Sequence, residues 1–328
     1  MNQLADIVAR FANKRITVIG DAIADQFLYG AISRVSREAP VFILRHEHTE
    51  TSPGGAANCA ANLASLGAEV TLISMVGDDQ AGQALLKNLS AAGVDCSSVL
   101  VSGGRRTTTK VRVLAGQIHS TRQQVIRIDY DGEPALSAGL RDELRSVVRD
   151  RAANTDAVII SDYNYGVAGP GIGEALRGRN VPVLVDSRFQ LSSFAGFTSA
   201  TPNEDEVEEL LGADHPDLAS LESAAERLRR QLDYKALLVT RGSHGMMLIE
   251  EGVAPLHIKA IGSQEPVDVT GAGDTVIATY TLAIAAGASF AAAARLANYA
   301  GGIVVMKRGT ATVSAEEIRS SIAASSTQ

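Results

Sequence analysis

Hydrophobic positions along the chain follow two rhythms, short β-branched runs and longer stretches with helical spacing. Residues 16–19 are continuously apolar and lead into Gly20 and Asp21, which reads as a buried strand ending in a turn. Residues 56–66 are Ala-rich with helical spacing and stop at Gly67. Residues 70–76 read as a strand, and 80–92 as a helix closed by Gly93. Residues 157–161 and 181–186 are apolar throughout and end in a polar or acidic side chain. Strands apolar on both faces imply a parallel sheet with helices on either side. Residues 237–240 and 246–249 add two strands around a Gly-containing turn, and the last third reads as helical, including 314–324. The expected fold is α/β, a mostly parallel central sheet flanked by helices.

Two segments depart from this rhythm. Residues 31–51 alternate, with Val41, Ile43 and Arg45 opposite Phe42, Leu44 and His46. Residues 107–130 do the same through Lys110, Arg112 and the run 125–130. Antiparallel strands inserted at these points would form a small second sheet, suited to act as a lid over the carboxyl edge of the main one. The expected division is a core of residues 1–30, 52–106 and 131–328, with a β lid of 31–51 and 107–130. Edge strands exposed by such a lid could pair with a second subunit, so a homodimer through the lid is expected.

Residues 276–305 are nearly all apolar, long enough to span a membrane. However, Gly287 interrupts them, Arg295 and Asn298 sit in the second half, and Ala dominates. Two close-packed buried helices are expected instead, with no membrane partner. The 328 residues are 45% hydrophobic and 20% charged, a globular composition. Thirty Lys and Arg against 37 Asp and Glu give a net charge of −7, which argues against a nucleic-acid partner. Two cysteines, Cys59 and Cys96, cannot build a disulfide framework or a four-thiolate zinc site, and Cys59 reads as a small core residue. The first fifteen residues lack the apolar core of a signal peptide, so a cytoplasmic location is expected.

The sharpest candidate chemistry is Asp268-Val269-Thr270-Gly271-Ala272-Gly273-Asp274-Thr275, directly before a long helical pattern. Gly271 and Gly273 permit a tight turn with unshielded amides, and the helix start adds free N–H groups, which together suit a phosphoryl group. A carboxylate at Asp274, beside that anion, suits a base that takes the proton from an attacking hydroxyl. The bare Gly-Ala-Gly-Asp tetrad fits an N-cap Asp equally well.

The eight-residue context resembles the C-terminal signature of the ribokinase-like (PfkB) carbohydrate kinase family. Pro53-Gly54-Gly55-Ala56-Ala57-Asn58 resembles the family's N-terminal Gly-Gly and Asn signature. The resemblance implies a ribokinase-like fold and an ATP-dependent sugar kinase, with Gly54, Gly55 and Asn58 against sugar hydroxyls. It places substrate-binding acids at Asp21 and, one turn on, Asp25. Thr201-Pro202-Asn203-Glu204-Asp205-Glu206 resembles the Asn-x-x-Glu element, implying Asn203 at the nucleotide and Glu206 holding Mg²⁺ through water. Thr240-Arg241-Gly242-Ser243-His244-Gly245 resembles the nucleotide-side turn, with Thr240, Gly242, Gly245 and, farther on, Asn298 around the nucleotide. Asp268 and Thr270 would neighbour a monovalent cation such as K⁺. Asp274 would be the base, with Gly271, Ala272 and Gly273 stabilising the transferred group.

Within the family, Ser33-Arg34-Val35-Ser36-Arg37-Glu38-Ala39-Pro40, Thr108-Thr109-Lys110-Val111-Arg112-Val113 and Arg308-Gly309-Thr310-Ala311-Thr312-Val313-Ser314 resemble the D-glycero-D-manno-heptose 7-phosphate kinases. The acceptor implied is the anomeric hydroxyl of that sugar phosphate. Some of these enzymes carry a nucleotidyltransferase domain; this chain resembles the stand-alone form. Two turns depart from the branch. Ser161-Asp162-Tyr163-Asn164-Tyr165-Gly166 has Tyr165 where a Lys is usual, and Asp186-Ser187-Arg188 replaces Asp-Pro-Lys. The loop at 115–123 is also longer than usual. Substrate contacts are therefore expected from Lys110, Arg112, Asp162 and Arg188, with Arg34 as a further cation. Alternatives are a kinase for an unphosphorylated sugar or nucleoside, or a non-catalytic sugar-binding protein on the same fold. An oxidoreductase is disfavoured because no G-x-G-x-x-G follows the first strand. His46 and His48 alternate on one face, but without a third ligand they read as solvent-facing.

Overall fold

The computed structural model describes residues 2–116, 122–132, 136–212, 217–262 and 265–325. Helix α1 (Asn2–Val8) precedes β1 (Arg15–Gly20), which leads into a long hairpin of β2 (Ala22–Val35) and β3 (Phe42–Gly55). The chain returns through α2 (Ala56–Ser65), β4 (Glu69–Gly77), α3 (Gln80–Ala91) and β5 (Val94–Ser102). Next come β6 (Thr109–Gly116), β7 (Gln123–Tyr130), α4 (Ala138–Arg151), β8 (Ala157–Asp162), α5 (Pro170–Leu176), β9 (Val183–Ser187) and the short β10 (Ser199–Ala200). The last part holds α6 (Glu204–Leu211), α7 (Leu218–Gln231), β11 (Ala236–Thr240), β12 (Met246–Glu250), β13 (Leu256–Ile258), α8 (Ala272–Ala285), α9 (Phe290–Val304) and α10 (Ala315–Ser325).

Among the described residues these strands form a nine-stranded and a four-stranded sheet. The larger runs β13-β12-β11-β10-β9-β8-β1-β4-β5, with β12 antiparallel to its neighbours and every other pairing parallel. Its apolar strands bury both faces. Ile16, Val18 and Ile159 enter the core shared with α2, α8, α9 and α10, while Ile19, Val158 and Ile160 enter the one shared with α4, α5 and α7. Each such side chain contributes roughly 1.5–3 kcal/mol by leaving water. Residues 276–305 are the paired helices α8 and α9, whose small side chains allow close approach: a Cβ on Gly301 would lie 3.3 Å from Val276. No helix among the described residues is long and apolar enough to cross a membrane.

The smaller sheet runs β3-β2-β6-β7. Its outer pairs are antiparallel as the alternation predicts, but the central β2–β6 pair is parallel. The cause is connectivity: between β2 and β6 the chain crosses the large sheet through β4 and β5, and such a crossover delivers a parallel strand. The strands also extend past the alternating stretches, since β2 starts at Ala22 and β3 runs to Gly55. Asp25 therefore lies on an extended strand rather than one helical turn beyond Asp21. Residues 117–121 of the 115–123 loop lie outside the described residues.

Candidate active site

Helix α8 begins where the glycine-rich turn ends. Gly271 caps it in the left-handed region, φ 76°, and an added Cβ would strike the Asn58 amide. Ala272 spends its N–H on Val269 O at 3.2 Å. Gly273 and Asp274, second and third in the helix, have no intrahelical acceptor by helix geometry, so their N–H groups can meet an anion.

Asp274 is 3% exposed. Its Oδ2 accepts from Asn58 Nδ2 at 2.9 Å and its Oδ1 from the Tyr163 hydroxyl at 2.8 Å. Cys59 Sγ lies 3.6 Å from Oδ1. Burial raises the carboxyl from its ordinary value to about 6, against the opposing effect of these donors. A base near neutrality is ionised at physiological pH yet strong enough to accept a hydroxyl proton.

Several expected substrate ligands are committed elsewhere. Asp21 accepts from the N–H groups of Tyr163, Tyr165 and Val167 at 2.9–3.0 Å and is 2% exposed, so it anchors the loop after β8. Asn58 is fully buried; its amide serves Asp274 and Gly271 O, and its oxygen accepts from Asn62. It holds the Asp274 carboxylate. Asp162 accepts from Ser187 Oγ at 2.7 Å and Asn164 N at 2.9 Å, joining the ends of β8 and β9. Asp25, on the lid, pairs with Arg112, and Gly54 packs against its carboxylate. Gly55, φ 56°, precedes α2, where a Cβ would meet Asp21 O. Burial raises Asp25 despite the guanidinium.

A cleft of about 220 Å³ opens on one side of the turn, lined by Thr240, Gly242, Gly245, Ala272, Gly273 and Asn298. Thus the glycine turn after β11, the helix start and α9 meet as expected. Asn298 donates to Lys259 O at 2.8 Å and fixes the cleft wall. Asn203 caps α6 and shares a reciprocal capping box with Glu206: Glu206 N donates to Asn203 Oδ1 at 2.8 Å, Asn203 N to Glu206 Oε2 at 2.9 Å. Asn203 also bridges Thr240. Arg241 pairs with Glu204 at 2.6 Å. Asp186, on β9, is pushed well above the carboxylate range by burial and by Glu206 and Asp274. Among the described residues no group of three His, Cys, Asp or Glu is placed to hold a metal. The convergence of these acids still suits a hydrated divalent cation arriving with phosphates.

A larger cleft, about 640 Å³, lies between the small sheet and the loops at 267–270 and 308–310. It is lined by Phe27, Tyr29, Arg112, Arg122, Arg308 and Thr310 among others, and the Thr310 hydroxyl is buried without a protein partner. Arg122 pairs with Glu47. Lys110 contacts Asp129 at 3.4 Å and the Tyr165 hydroxyl at 3.3 Å. Arg188 is exposed, stacks over Phe189 and faces Glu206 electrostatically; it does not line this cleft. Arg34 is exposed near the end of β2 and does not line it either. Asp268 is acted on by burial, which raises it, but N–H donation from Thr270 and Gly309 holds it below its ordinary value. It ties the helix-start loop to the 308–310 loop. His46 and His48 are exposed, bonded to Thr49 and stacked on Tyr29 respectively.

Three residues beside Asp274 do not stand out in the motifs. Tyr163 bonds its carboxylate directly, Asn62 does so through Asn58, and Asp186 is its electrostatic neighbour. The Ser-Asp-Tyr and Asp-Ser-Arg turns were visible, but nothing local shows that they meet α8.

A buried carboxylate at a glycine-rich helix start, with two clefts bordering the same turn, fits a phosphotransferase. The chain belongs to the pfkB family of carbohydrate kinases, whose model matches residues 13–318. It is 39% identical over 325 residues to "Bifunctional protein HldE" of Pelobacter propionicus, covering 98% of this chain and 65% of that protein. The chain thus spans just under two thirds of the length of such relatives. In fold it resembles phosphofructokinase-2 of Escherichia coli in complex with potassium (TM-score 0.79, 20% identity, 96% of this chain and 99% of that one). It also resembles ribokinase of Arabidopsis thaliana complexed with ribose and ATP (TM-score 0.73, 22% identity, 95% and 99%).

Proposed function

We propose that the chain transfers the γ-phosphoryl group of ATP to a sugar phosphate, with the anomeric hydroxyl of D-glycero-D-manno-heptose 7-phosphate as acceptor. The observation that carries this reading is Asp274, buried at the start of α8, whose turn lends Ala272 and Gly273 to the smaller cleft and Asp268 and Thr270 to the larger one. ATP occupies the smaller cleft along residues 240–245, Gly273 and Asn298. The acceptor lies under the lid by Asp25 and Gly54. Asp274 takes the hydroxyl proton as the sugar oxygen bonds to the γ-phosphorus, and the bond to the β-phosphate oxygen breaks to release ADP. The Gly273 and Asp274 N–H groups stabilise charge on the transferred group; one such donor is typically worth about 10²–10³ in rate. Glu206 would hold Mg²⁺ through water, and the bound ion would supply positive charge to the phosphates. Asp268 supplies negative charge to a turn rich in carbonyls, which fits a loosely held monovalent cation such as K⁺ beside Asp268 and Thr270.

Arg112, Arg122 and Arg308 in the larger cleft favour an acceptor that already carries a phosphate. The second reading, an unphosphorylated sugar, is favoured by the ion pairs that already occupy Arg112 and Arg122. Comparing kcat/KM for heptose 7-phosphate, unphosphorylated heptose and common hexoses and pentoses decides between them. A preference for any unphosphorylated sugar rejects the phosphate reading. Use of ATP supports a cytoplasmic activity, and the exposed Ile126 and Ile128 on the lid support pairing with a second copy.

A further inference from the structure

The proton acceptor sits inside a hydrogen-bond frame whose orientation can be derived atom by atom. Val313 N can only donate, so the Asn62 atom 3.3 Å away is the amide oxygen. The Asn62 NH₂ must then face Asn58, where it reaches the backbone oxygen at 3.0 Å and Oδ1 at 3.2 Å. That leaves the Asn58 NH₂ pointing at Asp274 Oδ2, 2.9 Å away, and at Gly271 O, 3.3 Å away. From the opposite side, Asp21 pins the backbone of Tyr163, whose hydroxyl reaches Asp274 Oδ1 at 2.8 Å. Oδ1 also has the Cys59 thiol at 3.6 Å, so Oδ2, with Asn58 as its side-chain donor, keeps the lone pair left for an acceptor proton.

Resting on the reading of Asp274 as the base, we propose that Tyr163 and Asn62 are positioning residues of the phosphoryl transfer. They clamp the carboxylate from two sides, so that its remaining lone pair is aimed before the acceptor arrives. Neither residue lines either cleft. Asn62 works through Asn58 and ties the segment around Val313 to the base. A mobile carboxylate would lose the alignment that makes proton transfer concerted with attack. Both clamps also favour the ionised form, because both donate to it.

The ionisable neighbours of the carboxylate are Cys59 from α2, Asp25 from β2, Asp186 from β9 and Tyr163 itself. All except Tyr163 are unchanged in Tyr163→Phe, which removes one oxygen and keeps the ring. The direct readout is the ¹³C-carboxyl signal of Asp274, assigned by its loss in Asp274→Asn and followed from pH 4 to 9 without substrate. Loss of a hydrogen bond to a charged group corresponds to an upward move of the midpoint by about one to two pH units. With MgATP and heptose 7-phosphate, kcat at pH 7 should fall about tenfold or more while both KM values hold. Only the share of that loss due to protonation, about two- to tenfold for a move of one to two pH units, should return at pH 9. Asn62→Ala should move the midpoint the same way by less, and serves if Tyr163→Phe does not fold. An unmoved midpoint in folded variants overturns the positioning role, as does a kcat at pH 7 equal to that of the parent chain. Wild-type turnover in Asp274→Asn would instead reject the base itself, while the carboxyl titration would still report whether Tyr163 and Asn62 hold it.

Discussion

At Asp274, geometry and pH dependence make linked demands. With its carboxyl raised to about 6, kcat/KM should fall tenfold per pH unit below that value. Asp274→Asn should cut turnover by about 10²–10⁴ with both substrates still binding, and near-wild-type turnover would remove it from the mechanism. Stability carries the opposite sign. The folded state holds this proton more tightly than the unfolded chain, so the contribution is full below about pH 4 and fades as pH rises through 6. The difference amounts to at most about 3 kcal/mol. Asp274→Asn should therefore raise the unfolding midpoint more at pH 8 than at pH 4.5, a comparison that thermal melts can make. Gly271→Ala should be nearly inactive at any pH, because both its φ and its contact with Asn58 forbid the Cβ. Asp274 and Gly271 were legible because their chemistry lies within eight consecutive residues. The structural bonds of Asp21 and Asn58 were not legible because their partners, around Tyr163 and at Asp274, are more than 100 residues away.

Element termini explain what the individual residues do. The large parallel sheet ends β1, β8, β9 and β11 at one edge, and its turns supply Asp21, Tyr163, Asp186 and Thr240. That layout was readable from apolar runs ending in polar residues. The cation assignment was not, since a turn Arg in sequence has no direction. Arg188 turns toward Glu206, whereas Arg308, after α9, faces the lid cleft. Arg308→Ala should consequently raise the KM for heptose 7-phosphate about tenfold with the KM for ATP unchanged, in line with loss of one charge-assisted contact. Arg188→Ala should leave the sugar KM within about twofold, the ordinary range for an exposed cation that touches no substrate. Steady-state kinetics on the two variants separates these outcomes, and the reverse pattern would relocate the phosphate to the end of β9.

For the whole molecule, the decisive surface is the outer side of the lid. Strand register places Leu28, Val113 and Ile126 in one row across β2, β6 and β7, and Gln26, Val111 and Ile128 in the next. These rows lie on the face opposite Phe27, Tyr29 and Arg112, which line the cleft. The lid thus has two working faces, one toward the acceptor and one apolar. Ile126 is 54% exposed and Ile128 40%, an arrangement a single chain gains nothing from. A second lid laid across it would bury those rows and shield the unpaired edges of β3 and β7. It would also stiffen the sheet that carries Asp25 and Arg112 over the sugar. Ile126→Asp with Ile128→Asp should accordingly give a folded monomer in sedimentation equilibrium, where the parent chain is expected to sediment as a dimer. The paired variant should show a larger rise in KM for the acceptor than for ATP relative to the parent, because lid residues line the proposed acceptor cleft and not the proposed ATP cleft. A parent chain that is monomeric at micromolar concentration would reject the interface, and a dimer indifferent to both substitutions would place it elsewhere on the molecule.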